Sequence, residues 1–416
     1  MESAASPSSP ASSVKAPGFA STPEIAPPPG VDQPAARLSA RHIPALDGLR
    51  GVAILSLLLF KSIEGLAPVT WSGKAVQQVF GCGWMGVDLF FVLSGFLISG
   101  ILLDSKDAPH YFRNFYARRT LRVFPLYYAV LLVTFGACVF LVSPQDLGAE
   151  RIVHNQGWLW TYTTNIAFLV KRSVFFDSGW LRFNHFWSLA IEEQFYLFWP
   201  LLIYLLPRRS PAIACGLLIV GALSLRIGLY FAHQRPGAMF YPTPCRLDSL
   251  AMGALIAIAV RSGRGLAQWI SAAKRAALVS GAILLAVWIW RGKLDVNDVT
   301  TLTFGFTVVA VFAASILTLA LDRSKPNRWA GWLEHRLLRI AGKYSYGMYV
   351  LHMLVIGVCD HLVTAGRMAA TVRFEALGIV LRALLLFGAT MGAGFISWHL
   401  YESHFLRAKR FFKYGQ

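Results

Sequence analysis

Charge is scarce in this chain. Only 14% of its 416 residues are Asp, Glu, Lys or Arg, while 56% are apolar and the mean hydropathy is +0.52. A soluble fold of this composition would need nearly every helix to be apolar all round, which excludes an ordinary soluble domain. Acids are scarcer still, 21 against 39 Lys and Arg, for a net charge of +18. These cations sit in short clusters between apolar runs instead of on one face, so they argue against nucleic acid and for topology signals and attraction to membrane lipid. Cysteine is sparse too: the five residues have no CxxC spacing, so neither a metal site nor a disulfide framework is indicated, and only Cys82 and Cys245 fall near the expected outer side. The N-terminal region lacks the apolar core of a cleaved signal peptide. No repeat of 20–50 residues stands out, and no matching pair of Gly/Pro-broken spans marks an inverted-repeat transporter.

What the chain does have is a series of long apolar runs. Residues 1–41, rich in Ala, Ser and Pro, read as a disordered tail. After them about ten spans are expected, near 46–66, 84–103, 124–142, 187–206, 212–232, 248–261, 277–291, 299–321, 344–363 and 377–400. Alternate loops, beginning with 104–123, hold Lys and Arg at more than twice the density of the others, which places both termini in the cytoplasm. The fold class is therefore an all-α polytopic membrane protein, with residues 409–416 as a basic C-terminal tail. Segment 143–186 is too polar to span and, with Trp158, Trp160, Trp180 and the apolar patch 166–170, is expected at the interface or re-entering the bundle.

Polar residues inside such spans are candidates for function. Arg50 and Lys61 are eleven positions apart, so they share a face of the first helix, with Lys61 roughly 16 Å deeper. Lys61 is either a group inside the membrane or a snorkelling end of a short helix. Asp88 lies near the outer end of the second span, and Ser94-Gly95 at its middle has close helix packing as the plainer reading. Arg118 and Arg122 are one turn apart and, with Arg113 and Arg119, are dense enough to grip a polyphosphate as well as to anchor topology. Ser188, Glu192 and Tyr196 form a stripe at i, i+4 and i+8, with Glu192 either a structural partner of an arginine or a proton-exchanging carboxyl. Ser345, Tyr349 and His352 share a face of the ninth span, where His352 is either a hydrogen-bonded structural residue or a base. Arg246 and Asp248 read as a short-range ion pair.

Several motifs together give the chain a family likeness: Leu46-Asp47-Gly48-Leu49-Arg50-Gly51, the Gly-Val-Asp…Ser-Gly-Phe segment 86–98, the Arg-Arg…Arg segment 115–127, Trp187-Ser188 through Glu192-Glu193 to Pro200, Arg246 to Gly253, and Ser345 to His352. On these residues the sequence resembles the acyltransferase-3 family of integral membrane O-acyltransferases over about residues 42–408. The resemblance implies a multi-pass protein of the cell inner membrane that moves an acyl group, usually acetyl, from acyl-CoA as co-substrate to a hydroxyl of a cell-surface carbohydrate or glycoside, with no metal. It also implies that Arg50, Arg119 and Arg122 hold the CoA phosphates through their planar guanidinium groups. The family's first helix carries a catalytic histidine where this chain has Lys61, and its closing segment usually carries proline where this chain has His404. Three readings follow: Lys61 acts as base in the histidine's place, His352 or Glu192 carries the proton, or the chain is a catalytically silent scaffold or partner subunit. A glycan or lipid transporter is a further class, and an arginine-bound phosphate co-substrate argues against it. Because the sequence ends soon after Glu402, no fused extracytoplasmic domain is expected.

Overall fold

The computed structural model describes residues 43–141, 146–171, 176–179, 181–207, 210–262, 266–322, 328–362 and 375–413. The expected disordered tail 1–41, Trp180 and residues 414–416 lie outside them. Among the described residues ten helices of 15 residues or more make up the body: α1 Pro44–Ser62, α2 Met85–Asp104, α3 Tyr111–Leu141, α4 Phe186–Leu205, α5 Ser210–Phe231, α6 Leu247–Arg261, α7 Ala267–Arg291, α8 Phe306–Ala320, α9 Arg336–Leu362 and α10 Glu375–Ser397. Sheet among the described residues is limited to one antiparallel pair, Asp177–Ser178 with Leu181–Arg182. The chain is thus an all-α polytopic membrane protein.

Ten spans were expected, and among the described residues seven helical segments are long and apolar enough to cross a membrane. The three long helices outside that set are α1, α4 and α9. They fall short because they hold Arg50 and Lys61, the Glu192-Glu193-Gln194 triplet, and Lys343 and His352 respectively. The helices that weaken the apolar signal are those bearing the candidate site.

Three helices begin earlier than the apolar runs. The basic loop before the third span is helical from Tyr111, so Arg118, Arg119 and Arg122 ride on α3. In the same way α7 starts at Ala267 and α9 at Arg336, each carrying its basic residues on helix. Apolar-run counting stops at the hydrocarbon boundary, whereas helical hydrogen bonding continues past it.

Packing follows the small residues. A Cβ at Gly95 would sit 1.9 Å from the Leu250 carbonyl oxygen, and one at Gly253 would sit 1.9 Å from that of Val92. Helices α2 and α6 therefore touch backbone to backbone, the contact that small residues make possible in a membrane. The Ser94-Gly95 step divides its two readings, with Gly95 packing against α6 and Ser94 Oγ donating to Glu192 Oε1 at 3.2 Å.

Arg246 and Asp248 do not pair with each other. Two positions apart on a helix, they point in different directions. Arg246 Nη2 donates to Asp88 Oδ1 at 2.8 Å, while Asp248 Oδ2 accepts from Arg226 Nη2 at 2.8 Å and from Thr307 Oγ1 at 2.7 Å. Both pairs are almost wholly buried. They tie α2, α5, α6 and α8 together. Segment 146–171 folds back as short helices over α3 and α4, its carbonyls at Leu159 and Tyr162 accepting from Tyr127 at 2.7 Å and Gln194 at 3.0 Å. All five cysteines are free.

Candidate active site

The three helices outside the apolar set, α1, α4 and α9, and the basic start of α3 point side chains at one place. From α1 comes Arg50, from α3 Arg119 and Arg122, from α4 Ser188 and Glu192, and from α9 Ser345, Tyr346 and Tyr349. With Ser94 and the rings of Phe90 and Phe91 on α2, they line an inner chamber of about 90 Å3. The i, i+4, i+8 stripe of α4 is what delivers Ser188 and Glu192 to the wall.

Arg119 is the hub of the chamber's charge. Its guanidinium reaches Glu192 Oε2 at 3.5 Å and Glu193 Oε1 at 3.2 Å, and it lies 3.8 Å from the centre of the Tyr196 ring. Tyr196 donates its hydroxyl to Glu192 Oε2 at 2.7 Å, so the Glu192 carboxylate accepts from both the tyrosine and Ser94. Two carboxylates thus share one partly buried arginine. At the far wall Ser188 and the Tyr349 hydroxyl are hydrogen-bonded to each other.

Two further cavities adjoin the chamber. One, of about 200 Å3, is walled by Arg50, Arg118, Arg119, Arg122 and Lys409 together with apolar residues of α2. The other, a wider opening of about 590 Å3, is walled by Arg50, Arg122, Arg336, Arg339 and Lys343. Arg50 and Arg122 belong to all three walls. The basic run at the start of α9 therefore joins the site, and sequence reading had assigned it to topology alone.

The expected residues separate into two groups. Arg50, Arg119, Arg122 and Glu192 are brought together on the chamber, and Arg118 stands on the adjoining wall. Lys61 and His352 are not on the chamber wall. Lys61, in the last turn of α1, is ion-paired with Glu64 at 3.0 Å. His352 is fully buried, with Nδ1 2.6 Å from the Tyr349 carbonyl oxygen and Nε2 without a hydrogen-bond partner. The two are nonetheless neighbours in the electrostatic sense, since the Lys61 ammonium acts on the His352 ring.

One buried residue escaped the sequence reading. The ring of His185, at the N-terminal edge of α4, lies 4.6 Å from that of His352, and its Nδ1 also lacks a partner. Its position three residues before Ser188 was the available signal. Among the described residues no cluster of three His, Cys, Asp or Glu is placed to hold a metal.

A bundle of apolar helices enclosing a chamber of arginines, carboxylates and hydroxyls, beside a wider basic opening, defines an all-α polytopic membrane protein with a polar site among its helices. The chain belongs to the acyltransferase-3 family, whose model, described as an acyltransferase domain, matches residues 43–399. It is similar to the peptidoglycan O-acetyltransferase OatA of Listeria monocytogenes, 28% identical over 333 residues that cover 77% of this chain and 50% of that protein. It is also similar to the O-acetyltransferase OatA of Staphylococcus aureus, 28% identical over 366 residues that cover 83% of this chain and 56% of that protein. The chain spans about half the length of the curated relatives it matches. No solved structure matches it.

Proposed function

We propose that the protein is a membrane O-acyltransferase that takes an acyl group, acetyl in the first instance, from acyl-CoA and delivers it to a hydroxyl of a cell-envelope carbohydrate. The membrane is the inner one, and the basic mouth faces the cytoplasm. The observation that carries this reading is the convergence of Arg50, Arg119, Arg122 and Glu192, from three helices, on one chamber that shares Arg50 and Arg122 with two basic cavities. Guanidinium groups suit phosphate oxygens, and a carboxylate beside them suits proton transfer. The names of the relatives, O-acetyltransferase in both cases, agree with it.

In this reading Arg50, Arg122 and the basic run of α9 hold the phosphates, leaving the thioester to reach the chamber. The acceptor oxygen attacks the thioester carbonyl carbon. A carbon–oxygen bond forms as the carbon–sulfur bond breaks, and the hydroxyl proton passes to Glu192 and on to the leaving thiolate. Tyr196 and Ser94 fix the orientation of that carboxylate. Lys61 is turned to Glu64 and lies off the chamber wall, and an acylated lysine would be an amide, stable to further transfer.

The Lys61–Glu64 pair also favours a second reading, a silent family member that binds ligand without turnover. Membranes carrying the protein, supplied with acetyl-CoA labelled in the acetyl group, separate the two. Label is expected to reach an envelope glycan, and Glu192→Gln is expected to stop it. Transfer seen only after Lys61→His would establish the silent reading.

A further inference from the structure

Beyond α10 the chain does not leave the bundle. A turn at Trp398–Glu402, a short helix Ser403–Arg407 and a tight turn Ala408–Phe411 bring it back along the first turns of α3. Asn114 Nδ2 donates to the Lys413 carbonyl oxygen at 2.8 Å. Arg118 Nη1 donates to two carbonyl oxygens, those of Lys409 at 3.1 Å and Phe412 at 2.9 Å. An arginine expected to bind ligand thus gives one of its nitrogens to docking this segment. What the docking places is Lys409, half-buried, on the wall of the 200 Å3 cavity beside Arg50, Arg119 and Arg122.

The charge of that wall is unusual. Five cations line it and no carboxylate does. Arg50 and Arg119 have their acids on other sides, Asp47 at 3.4 Å for the first and Glu192 and Glu193 for the second. The Arg122 and Lys409 side chains form no ion pair among the described residues. Glu402 lies within electrostatic range of Arg122, and Arg118, Arg119, Arg122 and Arg50 all lie within range of Lys409. Like charges packed together repel, and a polyvalent anion placed among them would be attracted by all of them at once. The remaining wall is supplied by Leu97, Ile98, Ile101 and Phe115 with Ser94 and Tyr196, a mixed surface that suits a ligand with an apolar or flat portion beside its charge.

We propose that Lys409 is a ligand-binding residue, presented by the docked C-terminal segment, that completes a site for a diphosphate ester together with Arg50, Arg119 and Arg122. Arg118 is then a positioning residue, acting through the segment it holds. Taking the ester to be CoA rests on the acyl-CoA reading above, whereas the diphosphate chemistry does not.

The test is equilibrium binding to the purified full-length protein in a zwitterionic detergent, with CoA and inorganic pyrophosphate as separate probes. Wild type is expected to bind both. Lys409→Met is expected to weaken each by roughly tenfold, the size of one charge-assisted contact, while Lys409→Arg keeps most of the affinity. Arg118→Gln is expected to cause a similar loss, and Lys409→Met added to it little more, because the lysine is already misplaced. Lys293→Met, at an exposed lysine away from the site, is the control for net charge. Unchanged binding of both probes by Lys409→Met overturns the proposal and leaves the acyl-CoA reading standing. Pyrophosphate binding that depends on Lys409, with no CoA binding by wild type, keeps the proposal and overturns the acyl-CoA reading. Failure of wild type to bind either probe overturns both.

Discussion

The bundle buries two sets of charges, and they are built on opposite plans. Between α2, α5, α6 and α8 each arginine has its own aspartate, Arg246 with Asp88 and Arg226 with Asp248. The set is neutral, and the Arg246 guanidinium lies 3.6 Å over the Phe306 ring. Around the chamber the charges do not balance. Arg119 is shared by two glutamates, while Arg122 and Lys409 have no ion-paired acid among the described residues and line open cavities. A closed, balanced pair has no charge left for a ligand and serves the fold. An unbalanced set beside empty volume stores an affinity that something else must satisfy, and that difference separates scaffold from site in a membrane where all buried charge is costly.

Substitutions can break the comparison on either side. The largest effect belongs to the balanced set: Arg246→Met leaves Asp88 buried without its partner and is expected to destabilise the protein by about 3–5 kcal/mol, read as a loss of folded protein in detergent melting curves. Next comes Glu192→Gln in the chamber, expected to lower acetyl transfer by about 10²–10⁴-fold while the melting curve stays close to wild type. Retained transfer would move the proton to another group, with the His185 and His352 pair the next place to look. The smallest effect is that of Lys61→Gln. Its partner Glu64 is about half exposed, so the ion pair is worth under about 1 kcal/mol and transfer is expected to stay within a few fold of wild type. A large loss on that substitution would give Lys61 the catalytic role that its ion pair argues against.

Much of this contrast was legible in the sequence, because helical spacing is a geometric fact. Ser188 and Glu192 reached the chamber as the four-residue step required, and Arg50, Arg119 and Arg122 met there although they come from two helices. The acyltransferase-3 motifs agreed with that gathering. Sequence spacing misled where it was read as proximity. Arg246 and Asp248 are near in the chain, yet a helix turns them apart to partners on other elements. Tertiary folding hid two residues altogether. His185 sits outside the apolar run that marks α4, and Lys409 follows the last span, so only the return of the chain onto Asn114 and Arg118 reveals its place. Lys61 changed meaning most. On the helix wheel it shares a face with Arg50, but the chamber closes before reaching it, and its ammonium is turned to Glu64 and the field around His352.

The central claim is that the unbalanced arginines bind a ligand and do not hold the fold. Acetyl-CoA binding by purified Arg122→Gln protein, measured beside its melting curve, tests it most directly. At least a tenfold loss of affinity with the melting temperature unchanged is expected, since one charge-assisted phosphate contact is worth about 1.5–3 kcal/mol and no ion-paired acid among the described residues is left behind. Unaltered affinity, or a fall in affinity matched by collapse of the melting transition, would contradict it.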